Sequence, residues 1–140
     1  MGLLVCSVLI PGELEEVFRF HQNPDNIGRV QPPGFKPSTV NFPSPLQVGS
    51  ECAISVPTPM GTQDWRIRIE KLFCKPDRGF ALMVDRALQS PFPFWVHRHC
   101  FEKEGNRTRM TDVVDFDPPM GRWGILLTPF VWIFLRLLFA

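Results

Sequence analysis

The sequence predicts an α+β fold, an antiparallel sheet with its helices gathered to one side. Three observations lead there. Between Phe35 and Asp117, β-rich runs alternate with proline and glycine punctuation. Upstream, "GELEEVFRFHQ" sets Leu14, Val17, Phe18 and His21 at helical spacing. Downstream, "PPMGRWGILLTPFVWIFLRLLFA" is apolar on nearly every side after Trp123 and reads as a long helix over about 119–140.

Taken in order, residues 3–10, "LLVCSVLI", form an apolar, β-branched run that stops at Pro11-Gly12, which predicts a strand. The helix after it carries Glu13, Glu15 and Glu16 in its first turn, where acids meet the positive end of the helix dipole. "NPDNIGRVQPPG" follows with Asn23 as N-cap, Pro24 at the first helical position and a Pro-Pro-Gly stop, so a second, very short helix is predicted. Strands are then predicted over 35–42, 50–57, 63–74, 78–88, 93–103 and 107–117. "DWRIRIEKLF" alternates cleanly, Trp65, Ile67 and Ile69 on one face and Arg66, Arg68 and Glu70 on the other, as a half-buried strand requires.

At 140 residues the chain is expected to be a single domain, 1–140, with enough length for one core. Its 15 basic and 14 acidic residues nearly cancel and no Lys/Arg block exceeds a pair, which argues against nucleic acid as a partner. Four cysteines, Cys6, Cys52, Cys74 and Cys100, are scattered singly; each is read as a small buried hydrophobe in a reducing compartment, and the expected location is cytoplasmic. The N-terminal apolar run lacks a basic start and is too short for a signal peptide. The C-terminal run, about 17 residues with Pro129 and Arg136 inside it, is short for a bilayer span and is assigned to covering the sheet.

Residues 93–117 fix their own register. A two-residue Gly105-Asn106 turn in "FEKEGNRTRM" makes opposed residues sum to 211, and this sets Glu102 against Arg109 on the outer face. The other face pairs Phe101 with Met110, His99 with Asp112, His97 with Val114 and Trp95 with Phe116. A one-residue slip would turn Arg109 and Asp115 inward, at the cost of burying charge. His99 and Asp112 are therefore expected to touch on the covered face.

"IPGELEEVFRFHQNPDNIGRVQPPGF", "VGS", "FPFWVHRHCF", "TRMTDVVDF" and "PPMGRWG" together resemble the START-like helix-grip superfamily, SRPBCC, in its polyketide-cyclase-like and uncharacterised ligand-binding branch. The pattern W-x-H-x-H-x-F followed by T-x-M-T-D-x-V is similar to one of that branch. The resemblance implies a curved antiparallel sheet of about seven strands wrapped around the long C-terminal helix, the first strand joining the later six. It also implies a cavity between sheet and helix for a small apolar or amphipathic molecule. Carried over by position, the cavity-facing residues are Trp95, His97, His99 and Phe101 on one strand and Met110, Asp112, Val114 and Phe116 on the next.

The chemistry of this stripe allows several readings. Two histidines one residue apart on a strand point to the same side, as a metal would want, with Asp112 as third ligand and His21 a distant second. A His-Asp hydrogen bond explains the same residues without an ion, so neither metal nor cofactor is expected. Binding or carriage of a ligand is preferred to turnover; the alternative is a cyclase or dehydratase in which His99 moves a proton while Asp112 holds its tautomer. A third reading is a membrane-surface or protein-interaction module using the apolar terminal helix. The pKa of His99 is raised by Asp112 and lowered by burial, so its net direction is left open by sequence. Asp85, in "MVDRAL", lies on the strand before the histidines; the Gln89-to-Pro93 loop leaves its register open between the cavity and a solvated strand end, and the solvated end is preferred.

Overall fold

A computed structural model describes residues 2–23, 26, 39–41, 43, 46–58, 61–118 and 133. The chain runs β1 (Gly2–Pro11), α1 (Leu14–Gln22), β2 (Thr39–Asn41), β3 (Glu51–Thr58), β4 (Gly61–Lys75), a single 3-10 turn (Pro76–Arg78), β5 (Phe80–Gln89), β6 (Phe94–Glu104) and β7 (Arg107–Asp117). The second short helix and the C-terminal helix expected from sequence lie outside the described residues, apart from isolated positions.

All strands join one antiparallel sheet in the order β1-β7-β6-β5-β4-β3-β2. Six of them are eight residues or longer; β2 is a three-residue addition at one edge. The expected strand at 35–42 is thus seen only as Thr39–Asn41. β1 crosses to the opposite edge to pair with β7, which makes the first strand and the last neighbours in space. Thr108, fully buried, fastens that junction by donating its hydroxyl to the Gly12 carbonyl at 3.0 Å.

The β6–β7 hairpin has the register read from its turn: Glu102 faces Arg109, His99 faces Asp112 and Trp95 faces Phe116. Gly105 takes φ 62 in that turn, a left-handed conformation that costs a side-chain-bearing residue about 1–2 kcal/mol. The opposed charges on the outer face do not bond to one another, however. Arg109 instead donates from Nε to Glu104 at 2.6 Å, because the diagonal neighbour lies closer to its guanidinium.

The covered face carries two apolar clusters. α1 buries Leu14, Val17 and Phe18 against one end of the sheet, joining Ile69, Ala81, Met83, Phe101 and Met110; Phe18 meets the Phe101 ring edge-on, centroids 5.3 Å apart. At the other end Leu4, Trp95, Val114 and Phe116 form a second cluster, flanked by Trp65 and Phe92. β4 shows the expected alternation, with Ile69 buried and Arg66, Arg68 and Glu70 exposed. Two register irregularities against β5, at Arg66/Ile67 and Ile69/Lys71, bend this long strand. The four thiols are free, but only Cys52 is buried; Cys6, Cys74 and Cys100 are half-buried, which corrects the reading of all four as core residues. Cys6 lies on the edge strand β1, Cys74 near the end of β4, and Cys100 on the face of β6 opposite His99 and Phe101.

Among the described residues, no helix is long and apolar enough to cross a membrane.

Candidate functional site

Between the two apolar clusters the sheet presents a belt of four titratable side chains. Each strand crosses the boundary once. β6 reads Trp95, His97, His99, Phe101 along its covered side; β7 reads Phe116, Val114, Asp112, Met110 beside it; β5 contributes Ala81, Met83 and then Asp85. The belt is buried: Asp85 is 5% exposed, His97 7% and Asp112 9%. His99 is somewhat more open.

Opposed residues are not the ones that hydrogen-bond. His97, which faces Val114, reaches diagonally to donate from Nε2 to Asp112 Oδ1 at 2.8 Å. His99, which faces Met83 on β5, reaches diagonally the other way, donating from Nε2 to Asp85 Oδ2 at 3.0 Å. An ionised carboxylate only accepts, so both Nε2 atoms carry their protons. The expected His99–Asp112 contact is present, Nδ1 to Oδ1 at 3.1 Å, but off the line of a hydrogen bond; His99 Nδ1 is a buried nitrogen with no hydrogen bond among the described residues. His97 Nδ1 in turn stands 3.9 Å from Asp85 Oδ2. The two imidazoles overlap, ring centroids 3.7 Å apart, with a carboxylate at either side.

This geometry decides the charge on His99. Burial lowers its affinity for a proton, but the carboxylates of Asp112 and Asp85 outweigh that and lift its pKa to about 9. Burial likewise pushes Asp112 upward, and the histidines outweigh it, holding its carboxyl well below the usual carboxylate range. His99 is thus an imidazolium at neutral pH, facing anionic Asp112. Nearby, burial and then the Asp85 charge raise the Cys52 thiol to about 11.

Asp85 is the residue that sequence reasoning misplaced. It sits in the middle of β5, not at a solvated end, and is tolerated there because His99 bonds to it. "FALMVDRALQ" is apolar on both sides of the strand, so alternation gave no phase; pairing β5 to the already registered β6, Ala81 against Phe101, would have supplied it. His21, by contrast, does not join the belt. Its Nδ1 lies 2.8 Å from the Val17 carbonyl one helical turn back, and its ring stands against Phe101 at 5.2 Å. Burial lowers its pKa, against the pull of that carbonyl.

Of the other stripe residues, Phe101, Val114 and Phe116 are fully buried, while Trp95 and Met110 are nearly so. Trp95 packs edge-on to Trp65, centroids 5.0 Å apart, and also contacts Phe92 and Phe116. Two open recesses flank α1 instead of the belt. One, of about 410 Å³, is lined by Ile10, Pro11, Gly12, Glu16, Val17, Phe20 and His21; the other, about 220 Å³, by Glu15, Phe18, Arg19, Gln22, Cys74 and Pro76.

An antiparallel sheet with β1 returned beside β7 and one helix on its covered face is consistent with the helix-grip fold of START-like, SRPBCC-type proteins. Solved structures share it at low sequence identity. A protein from Thermus thermophilus superposes with a TM-score of 0.76 at 12% identity, covering 96% of this chain and 87% of the other. A START superfamily protein from Mycobacterium smegmatis gives 0.71 at 9% identity, covering 96% and 89%. The Zhui aromatase/cyclase from a Streptomyces species gives 0.65 at 15% identity, covering 83% and 67%. No family model matches the sequence, and no curated protein matches it.

Proposed function

We propose that this protein binds a small apolar or amphipathic molecule between its sheet and the helix expected over about 119–140, and that the belt of Asp85, His97, His99 and Asp112 holds one polar group of that molecule. The observation that carries this reading is the belt itself. A buried band of four titratable residues across an otherwise apolar wall is costly to keep unless a polar group is presented to it. Trp95, Val114 and Phe116 on one side, with Phe101 and Met110 on the other, offer apolar area to the body of the ligand, at about 0.8 kcal/mol for each methylene removed from water. The fold neighbours support the same class of function, since they include an aromatase/cyclase and a START superfamily protein.

Native mass spectrometry of the protein purified from its own host is the test. A discrete small-molecule adduct that disappears on denaturation is the expected result. A bare chain that also takes up none of a panel of fatty acids, sterols and aromatic polyketides overturns the reading.

A second reading, a cyclase or dehydratase, is favoured by one observation: His99 keeps its proton at neutral pH and so is equipped as a general acid rather than a base. Under it, His99 would protonate a departing hydroxyl or a forming enolate while Asp85 and Asp112 hold the ring. His99→Gln separates the two readings. It spares most of the affinity if the chain only binds, and abolishes product formation from a bound polyketide if the chain is an enzyme.

A further inference from the structure

We infer that the belt is also a binding site for a divalent transition metal of the zinc class, with Asp85, His97 and His99 as its three protein ligands and Asp112 as the carboxylate that orients both imidazoles. One donor atom from each of the three ligands lies within 4.8 Å of the others. The inference uses the residues of the ligand-binding reading but does not rest on it, and it departs from the sequence-based expectation of no metal.

Each imidazole turns one nitrogen to Asp112 and the other to Asp85. Toward Asp112 point His97 Nε2, at 2.8 Å, and His99 Nδ1, at 3.1 Å. Toward Asp85 point His97 Nδ1, at 3.9 Å, and His99 Nε2, at 3.0 Å, both measured to the same oxygen, Oδ2. Metal-bound histidines characteristically donate their far N–H to a carboxylate, which fixes tautomer and ring angle. Here a single carboxylate serves both rings, and the near nitrogens converge on the second carboxylate. His97 already turns Nε2 to Asp112 as donor and Nδ1 toward Asp85, the orientation that binding through Nδ1 needs.

His99 requires one change. Its Nε2 proton, now shared with Asp85, leaves for solvent as the ion enters between them, and Nδ1 keeps its own. A small ring rotation then brings Nδ1–H into line with Asp112 Oδ1, satisfying the buried nitrogen that the metal-free arrangement leaves without a hydrogen bond. An ion at about 2.1 Å from each donor wants donors about 3.4 Å apart, so no pair need close by more than about 1.4 Å, a shift within reach of χ rotation.

Two imidazoles and one carboxylate select a borderline ion of the zinc, cobalt or nickel kind over calcium or magnesium, which prefer all-oxygen shells. Three protein ligands leave a fourth position open. Strands, not loops, carry all three ligands, so their backbone positions are fixed and only side-chain rotation is needed.

The experiment is calorimetric titration of chelator-treated protein with zinc, and with cobalt for its spectrum. Saturable binding of one zinc per chain is expected at micromolar concentration, with cobalt giving visible d–d bands and no thiolate charge-transfer band. Asp85→Asn and His99→Gln are each expected to abolish saturation over that range, and Asp112→Asn to weaken binding by about 10–100-fold. A Cys6→Ser, Cys74→Ser, Cys100→Ser variant keeps full affinity. Wild-type protein that shows no saturable binding overturns the inference, as does binding that survives Asp85→Asn and His99→Gln or is lost with the three thiols. The wild-type titration and the cobalt spectrum decide the matter even where a belt variant fails to fold. A chain that binds zinc but no apolar molecule supports this site and removes the ligand reading; the converse result removes the site alone.

Discussion

His99 shows how far a single side chain can be taken from sequence and where the neighbouring strand has to speak. Its partner on β7 was deducible from a two-residue turn, but its hydrogen bond runs to β5, to Asp85. Removing it therefore orphans Asp85 first; Asp112 retains the hydrogen bond from His97. His99→Ala is expected to cost about 1–3 kcal/mol in urea unfolding, the desolvation penalty of a buried acid that has lost its donor. Asp85→Asn made on top of it should recover part of that loss. The sign of the pH dependence follows from the raised pKa. In metal-free protein, a folded-state value of about 9 against 6.5 in the unfolded chain gives stability that is complete below about pH 6.5 and is lost as pH rises through 9. Asp112, held low, contributes stability above its unfolded pKa of 3.8 and loses it in stronger acid. Thermal melts from pH 6 to 9.5 should show a falling midpoint in the wild type and a flatter profile in His99→Gln; parallel profiles would contradict the assignment.

Among the elements, the β6–β7 hairpin was the most legible and β5 the least. Gly105-Asn106 fixed the hairpin's pairing, and the clean alternation of Trp95, His97, His99 and Phe101 fixed its covered side. β5 offered Leu82 and Val84 opposite Ala81 and Met83, apolar on both faces, so the strand was found but its phase was not, and Asp85 was misread. The crossing of β1 to pair with β7 is a long-range fact that no local pattern encodes; the resemblance implied only that the first strand joins the later six in one sheet. Thr108 was missed altogether, because a threonine beside a turn carries no sign that its hydroxyl will be buried against Gly12. Thr108→Val, nearly isosteric, tests that fastening: it leaves the Gly12 carbonyl without its donor and should cost about 1–3 kcal/mol. Backbone amide exchange in β1 should quicken more than exchange in β4. Equal effects on both would mean that the bond does not hold the junction.

For the molecule as a whole, the belt is a cost carried inside a fold that two apolar clusters otherwise hold together. Replacing buried ion pairs with well-packed apolar groups is often neutral or stabilising by about 1–4 kcal/mol, whereas breaking one partner is strongly destabilising. The combined variant Asp85→Leu, His97→Leu, His99→Met, Asp112→Val should therefore unfold at no lower denaturant concentration than the wild type, although its single members are each weaker. It should also lose both ligand and zinc. A combined variant that is much less stable would show that the belt is structural after all. The belt has one more effect, on the choice among alternative pairings during folding. Alternation of apolar and polar residues rejects a shift of β6 on β7 by one position, because every side chain would change face. A shift by two keeps every face, so alternation is blind to it. Shifted one way, Asp112 would face Phe101 and lie out of reach of His97, whose hydrogen bond it accepts in the native pairing; shifted the other way, His99 would face Met110. The three polar residues of the hairpin's covered face, His97, His99 and Asp112, thus carry a mark of register that alternation alone does not.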